Sequence, residues 1–387
     1  MNYTFYHPAL KPEHEAWRLR IREFSETEIR PVARHLDQTN SFSVELTRKM
    51  GALGLLGITI PQKYGGLGLD TLSYIIAVEE IARIDGSQAA TIAAHNSLGI
   101  APIYKYGNEE QRTRYLPLLT SGEYVWGFGL TEANAGSDAN NTLTEAVPDG
   151  ETWIINGSKI FITNSSSPMS AGVTIQAFTG EMNGKKELTA FLLDSNTPGY
   201  HREAITGKLM WRAADTGKLT FKNCRVPEAN LLGKPGEGSK MMLETLDSGR
   251  LSIAAMGLGL AQGAFEMAFD YAHRRVQFGR TISKFQINSF KLADMALKAE
   301  HARSFLYTAC WRKDQGLPFG KEAAMAKLYC SEIAREVADE AVQIHGAYGL
   351  TQDLDMERFY RDQRILQVGE GTSEILRLVI GRHLGIK

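Results

Sequence analysis

Residues 364–378 read RILQVGEGTSEILRL and set a single carboxylate, Glu370, between two glycines, Gly369 and Gly371. An apolar stretch leads in and a helix-like pattern leads out. A carboxylate on such open backbone has two uses. It can take a proton from a group brought close to it, or it can sit as a favourable negative charge at a helix N-terminus. Residue types alone leave both open.

Other stretches carry weaker signals. GFGLTEANAGSDA, residues 127–139, runs from a strand through Thr131 into a turn with Asn134, Gly136 and Ser137. Such a turn can offer hydroxyl and N–H groups to a phosphate or a ring edge, though a plain surface turn has the same composition. KIFITN sets the flat ring of Phe161 beside Thr163 on a strand, and RRVQFGR places Arg274, Arg275 and Phe278 at a helix end. QIHGAYG puts Gln343 and His345 near a helix C-terminus, where capping and packing are the ordinary roles. GLGLAQG, residues 257–263, imitates a dinucleotide fingerprint. Its glycines lie inside a helical pattern with no strand before them, so it reads as small residues that let helices approach closely.

The elements that must hold these residues fall into three regions. At about 150 residues per domain, 387 residues suggest two or three domains. Residues 1–125 have a helical period: Trp17, Ile21, Phe24, Ile29 and Val32 form one apolar stripe, and PQKYGGLG is a loop. Residues 126–232 turn β-rich, with TWIINGSKIFITN, GVTIQAF, LTAFLLD and KLTFKNCRV as strands; the Asn156-Gly157 pair predicts a hairpin turn. Residues 233–387 return to long helical patterns. The last begins at Thr372 and Ser373, both good N-caps, with Glu374 in its first turn. The expected fold is a multidomain α+β chain: an N-terminal helical domain, a middle β domain and a C-terminal four-helix bundle.

Composition narrows the class. The chain is 43% hydrophobic and 22% charged, with a formal net charge of −1. No global field recruits nucleic acid or an acidic membrane, and no uninterrupted apolar run reaches the roughly 18 residues of a membrane span. Cys224, Cys310 and Cys330 lie far apart and form no C-x-x-C motif. Neither a metal site nor a disulfide framework is indicated, and a reducing, intracellular compartment fits.

Each motif is weak alone, but their order is specific. LTEANAGSDA, NGSKIFITN, RRVQFGR, FQINSFKLADMA, AVQIHGAYG and EGTSEILRLVIGRHL, with YGNEEQRTRYLPLLTSGE ahead of the β region, together resemble the acyl-CoA dehydrogenase family along nearly the whole chain. The resemblance implies a homotetramer of FAD-containing subunits in the cytoplasm of a bacterium, or in the mitochondrial matrix if the chain is eukaryotic and processed. It also implies conversion of an acyl-CoA to its 2,3-enoyl-CoA. In that reaction a base removes the α-proton, the β-hydrogen leaves as hydride to flavin N5, and electron-transfer flavoprotein reoxidises the flavin.

By the same resemblance Glu370 matches the catalytic base, and Gly371 leaves room for substrate beside it. Phe128, Leu130, Thr131, Ile162 and Thr163 match flavin contacts, and Phe161 stands where many members have tryptophan. Gly136 and Ser137 match the pyrophosphate turn, with Ser137 also near CoA. Arg275, Phe278, Gln286, Gln343, Ile344, His345 and Gly346 match positions that reach a neighbouring subunit's cofactor. Thr372 and Glu374 match contacts just after the base, and Asp247 and Arg250 match the segment that holds the CoA chain.

Two departures bear on substrate. Members with their base on the LDSGR helix carry it where this chain has Gly249, so Glu370 is the single candidate. Straight-chain members usually have tyrosine before the base; here Gly369, with Ala89, Ala90, Ala93 and Ala94, predicts a wide pocket for a short branched or cyclic acyl group. Dicarboxylyl- or aryl-acyl-CoA substrates are the alternative, and His95 is the only possible cation in the stretch that would hold a distal carboxylate. Rival functions are an acyl-CoA oxidase, which is usually longer, a non-catalytic acyl-CoA or flavin-binding module, and a purely structural helical protein. The visible spectrum separates the dehydrogenase from the binding module.

Overall fold

The computed structural model describes residues 6–182 and 184–386. The chain runs helical, β, helical. The N-terminal helices are α1 (Pro12–Phe24), α2 (Arg30–Thr39), α3 (Val44–Ala52), α4 (Thr71–Ala82), α5 (Gly86–Ala94), α6 (Ala101–Tyr106) and α7 (Glu109–Thr120). A π turn, Ser25–Ile29, joins α1 to α2 without a break. It inserts one residue into the helical period, and this corrects the predicted stripe. Trp17, Ile21 and Ile29 are buried as expected, but Val32 is 38% exposed and Ala33 takes the inward position.

The middle strands are β1 (Val125–Gly129), β2 (Glu145–Asp149), β3 (Thr152–Thr163), β4 (Ser170–Met182), β5 (Lys185–Asp194), β6 (Tyr200–Ala204), β7 (Thr216–Pro227) and β8 (Leu231–Leu232). They form one mixed sheet in the order β6-β7-β3-β2-β4-β5-β8, with β1 pairing in parallel with β4. Asn156-Gly157 is not a hairpin turn. β3 continues through it, and the pair marks a bulge opposite β7 between Ile155 and Gly157. Gly157 has φ +145°, and a Cβ there would meet Thr144 Cα at 2.6 Å, so the dipeptide answers a close approach. The true hairpin lies earlier, where Asp149 pairs with Thr152 across Gly150 (φ +62°) and Glu151.

The C-terminal helices are α8 (Gly238–Arg274), α9 (Gln286–Asp314), α10 (Gly320–His345), α11 (Met356–Asp362) and α12 (Ser373–His383). α8 has the length and composition of a membrane span, but most of that stretch is buried against α4, α9 and α10 inside the protein. Its glycines do what the sequence suggested. Added Cβ atoms would meet Cys330 O at 2.6 Å from Gly257, Glu79 O at 2.3 Å from Gly259 and Arg83 O at 2.2 Å from Gly263. Between α8 and α9 the RRVQFGR stretch is not only a helix end. It forms a small hairpin, β9 (Val276–Gln277) and β10 (Arg280–Thr281), turned by Phe278 (φ +51°) and Gly279 (φ +78°).

Candidate active site

Glu370 lies between α11 and α12 on strained backbone. Its φ is +53°, in the left-handed region that a side chain rarely adopts, and Gly371 follows at φ +97°. Such a conformation persists only where the surroundings enforce it. Here α10 does so from one side: Ser331 Oγ donates to Leu366 O at 3.0 Å, Gln367 Nε2 donates to Ser331 O at 2.6 Å, and Lys327 Nζ donates to Gly371 O at 2.6 Å. From the other side α12 starts at once, with Thr372 Oγ1 accepting from Ile375 N–H at 3.2 Å, as the cap preference predicts.

The carboxylate points at α8. A Cβ built on Gly249 would sit 2.1 Å from Glu370 Oε2 and 3.1 Å from Leu98 Cδ2. Oε2 is buried and has no hydrogen-bond partner, and among the described residues the Glu370 N–H has no acceptor either. A carboxylate out of water holds its proton more tightly. Burial therefore pushes Glu370 up to about 7, against the opposing pull of Lys327 and Arg250. The group is an unpaired base poised near neutrality, beside a free N–H donor.

Arg250 is buried on α8 and pairs with Asp247 one turn away; its Nε has no partner. The two residues expected to hold a CoA chain thus meet each other, close enough to Glu370 for Arg250 to stabilise its charge. Leu98 reaches the site from a π turn, His95–Ile100, that continues α5; single π turns recur at functional sites. Gly369 has no backbone need to be glycine, since a Cβ there would make ordinary contacts with Ile365 at 3.5 Å and beyond. Ala89, Ala90 and Ala93 do not widen a pocket: they are 0%, 2% and 1% exposed and pack in the helical core. Only Ala94 of that group is half-buried. His95 is no cation for a substrate. Its Nε2–H donates to Leu119 O at 2.9 Å, Nδ1 accepts from Trp126 N–H at 3.2 Å, and burial lowers its pKa to about 4.

The expected flavin residues divide into two groups by side-chain direction. Phe161 has φ +62° at a second bulge of β3, between Lys159 and Ile162, and its ring is 64% exposed. Thr131 and Thr163 are half-buried, and Gly136 and Ser137 are exposed, with nothing within 4 Å of a Cβ at Gly136. Phe128, Leu130 and Ile162 instead face inward and pack in apolar clusters. Two polar clamps that the motifs did not signal hold this surface. Glu132 accepts from Leu143 N–H at 2.8 Å, Thr144 N–H at 3.1 Å and the buried Lys159 Nζ at 2.8 Å, closing the 132–144 loop at its base. Asp215 accepts from the Ser166 and Ser167 N–H groups at 2.9 and 2.8 Å, just beyond Thr163. The two segments meet where Ile160 N–H donates to Thr131 O at 3.0 Å, and an exposed aromatic face on one with an open glycine turn on the other suits a flavin ring and its pyrophosphate, so the residues fit FAD.

The remaining group lies elsewhere. Arg275, Phe278, Gln286, Gln343 and Gly346 are exposed around the α8–α9 hairpin and the end of α10, with Phe278 95% exposed and the Arg275 guanidinium 6.0 Å from the Tyr348 ring. Ile344 and His345 do not share that surface. Ile344 is core, and His345 is buried, stacked on Tyr271 at 4.5 Å, with Nδ1 donating to Ala341 O at 2.7 Å. Thr372 is a helix cap and Glu374 is an exposed first-turn carboxylate. Along α8, Arg275 is roughly 39 Å from Gly249 at about 1.5 Å per residue. Within one chain the hairpin patch is thus far from Glu370 and Gly249.

Of the residues packed against the Glu370 turn that motif reading missed, Lys327 left a trace in the sequence: a lone lysine in the small and apolar run AAMAKLYC.

Comparison with known proteins shows the family of the whole chain. Residues 11–123, 127–224 and 236–385 match the families described as acyl-CoA dehydrogenase N-terminal, middle and C-terminal domains. The chain is 46% identical over 376 residues to a probable acyl-CoA dehydrogenase of Bacillus subtilis, covering 97% of this chain and 98% of that one. It superposes with a TM-score of 0.94 on butyryl-CoA dehydrogenase from Megasphaera elsdenii, at 38% identity over 99% of this chain and 100% of that one. A chain from a structure titled for the electron transferring flavoprotein of Acidaminococcus fermentans also gives 0.94, at 42% identity and 99% coverage of both.

Proposed function

The chain belongs to the acyl-CoA dehydrogenase family, and from that premise we propose that it desaturates short acyl-CoA thioesters between Cα and Cβ with Glu370 as the base. The observation that carries the assignment is Glu370 itself, a strained, buried, unpaired carboxylate aimed at Gly249 of α8.

Glu370 takes the α-proton on a carboxylate oxygen, and the freed electron pair moves toward the thioester carbonyl. The Glu370 N–H is a donor for the oxygen on which that charge gathers, where a preorganised donor is most effective. Bound FAD supplies the two-electron acceptor for the β-hydrogen. Phe161 would offer a flat face to the flavin ring, and Gly136 and Ser137 would offer N–H groups and a hydroxyl to the pyrophosphate. Arg250, tied to Asp247, presents positive charge near the reacting carboxylate. The test is spectral: purified yellow protein mixed anaerobically with a panel of acyl-CoAs should bleach. A colourless protein, or no bleaching by any short acyl-CoA, would overturn the assignment.

Substrate width follows from residue 369. Gly369→Tyr should lower kcat/KM at least tenfold for branched or cyclic acyl-CoAs, about 1.4 kcal/mol, with little effect on butyryl-CoA, because overfilling costs only the groups that need the space. An unchanged ratio of branched to straight activity in a variant that holds FAD would place pocket shape elsewhere. His95, neutral and fully committed, offers a dicarboxylic substrate no charge.

Assembly is part of the site. The separation of Arg275 from Gly249 along α8 supports a homotetramer in which the hairpin patch reaches a neighbour's cofactor. Arg275→Ala should release FAD more readily, since a charge-assisted hydrogen bond contributes about 1.5–3 kcal/mol. Sizing with flavin content reads the result, and a monomer that retains all its FAD would contradict the shared site. Electron-transfer flavoprotein is the proposed acceptor, read by its reduction rate with butyryl-CoA-reduced enzyme.

A further inference from the structure

Lys327 sits mid-helix on α10 among buried small residues, Ala323, Ala324, Ala326 and Cys330, and is itself 0% exposed. A core ammonium is costly unless paired. Among the described residues Lys327 makes no ion pair; its contact is the Gly371 carbonyl, at 2.6 Å. We propose that Lys327 is the positioning residue of the base, its ammonium holding the Gly371 carbonyl and so the left-handed turn at 370–371, and its charge favouring the ionised Glu370. The inference rests on the reading of Glu370 as the base.

Holding the turn is shared work. Ser331 and Gln367 fix the chain before Glu370, and Ser373 Oγ, donating to Glu332 Oε1 at 2.7 Å, fixes it after. A merely structural donor to one more carbonyl need not carry charge. What Lys327 alone adds from α10 is a positive field on a carboxylate that burial disfavours. Other charged or titratable groups face the pair from every side. Arg250 on α8, though paired with Asp247, also favours the carboxylate and opposes the Lys327 ammonium. Glu332 on α10 and Glu374 on α12 favour the ammonium. Tyr74 on α4 stays a phenol, donating to Ala93 O at 2.8 Å. Burial lowers Lys327 to about 8 while Glu370 acts to raise it, so near neutrality both charges coexist.

The experiment compares FAD-loaded wild type with Lys327→Met, which keeps length and loses charge. Two quantities are read against pH: the acid limb of kcat/KM, and the infrared C=O stretch of protonated Glu370 without substrate, identified by its absence from Glu370→Gln. Both midpoints should move up by about 1–3 pH units, the range an adjacent opposite charge produces. Lys327→Arg should bring them back toward wild type. Lower kcat with unmoved midpoints would mean that Lys327 only packs, and would overturn the inference. If Lys327→Met does not fold, Lys327→Gln gives the same reading. Should Glu370→Gln stay active, the base assignment fails; should it be inactive while the midpoints stay put, Lys327 alone is wrong.

Discussion

Glu370→Gln is expected to keep FAD and lose turnover by about 10²–10⁴-fold, the usual worth of a general base, or roughly 2.7–5.4 kcal/mol of barrier. The amide preserves shape and cannot take the α-proton, and Gly249 leaves no second carboxylate facing the same space. Dye-linked dehydrogenation of butyryl-CoA measures it, and retention of more than about a tenth of wild-type kcat would dismiss Glu370 as the base. Two pH effects accompany it. In the wild type the base must be ionised, so kcat/KM should fall as pH drops below about 7. Stability runs the other way. The folded carboxyl has a raised pKa, so ionising it opposes folding, fully above about 7 and not at all below its unfolded value. The glutamine variant should therefore have a higher Tm than wild type at pH 8, and the gain should vanish as pH falls through 7 toward the ordinary carboxylate range.

Gly249→Ala should cost about 10²-fold in kcat with a small change in Tm. The added methyl would stand 2.1 Å from Glu370 Oε2, an impossible contact. What gives way is the far end of a flexible side chain rather than backbone, so the fold survives while the carboxylate swings aside. Misplacement of a reacting group by about 1 Å is enough for that loss. Leu98 Cδ2, 3.1 Å from the same methyl, restricts the other direction of escape. Thermal unfolding and flavin content check that the protein is intact. A variant with near wild-type kcat would mean that the base works from a different position.

Some of this was legible in residue order. The long helices of the C-terminal region, the Thr372 cap and the glycines of α8 as packing residues followed from period and local chemistry, because helix propensity, capping and close approach act within a few residues. Local signals failed where one extra residue is absorbed without a turn. The π turn at Ser25–Ile29 exchanged Val32 for Ala33 on the buried face, and the bulge at Gly157 ran a strand straight through an Asn-Gly pair. At Gly157 the constraint came from a segment packed across the strand, the Thr144 backbone.

The sequence by itself determined that one carboxylate stands between two glycines ahead of a helix, that Gly249 carries no base, and that the motifs stand in the order of the acyl-CoA dehydrogenase family. Those are properties of residue identity and spacing. Only the tertiary structure decided which side chains share a space. It turned Phe161 outward but Ile162 inward, sealed His95 as a neutral core residue, and took His345 out of the exposed patch around Arg275. It also brought Lys327, 44 positions away in the chain, onto the Gly371 carbonyl beside Glu370. The physical reason is that burial and electrostatics depend on distance in space. The charge state of Glu370 is set by groups from α8 and α10, and no window of sequence around residue 370 contains them.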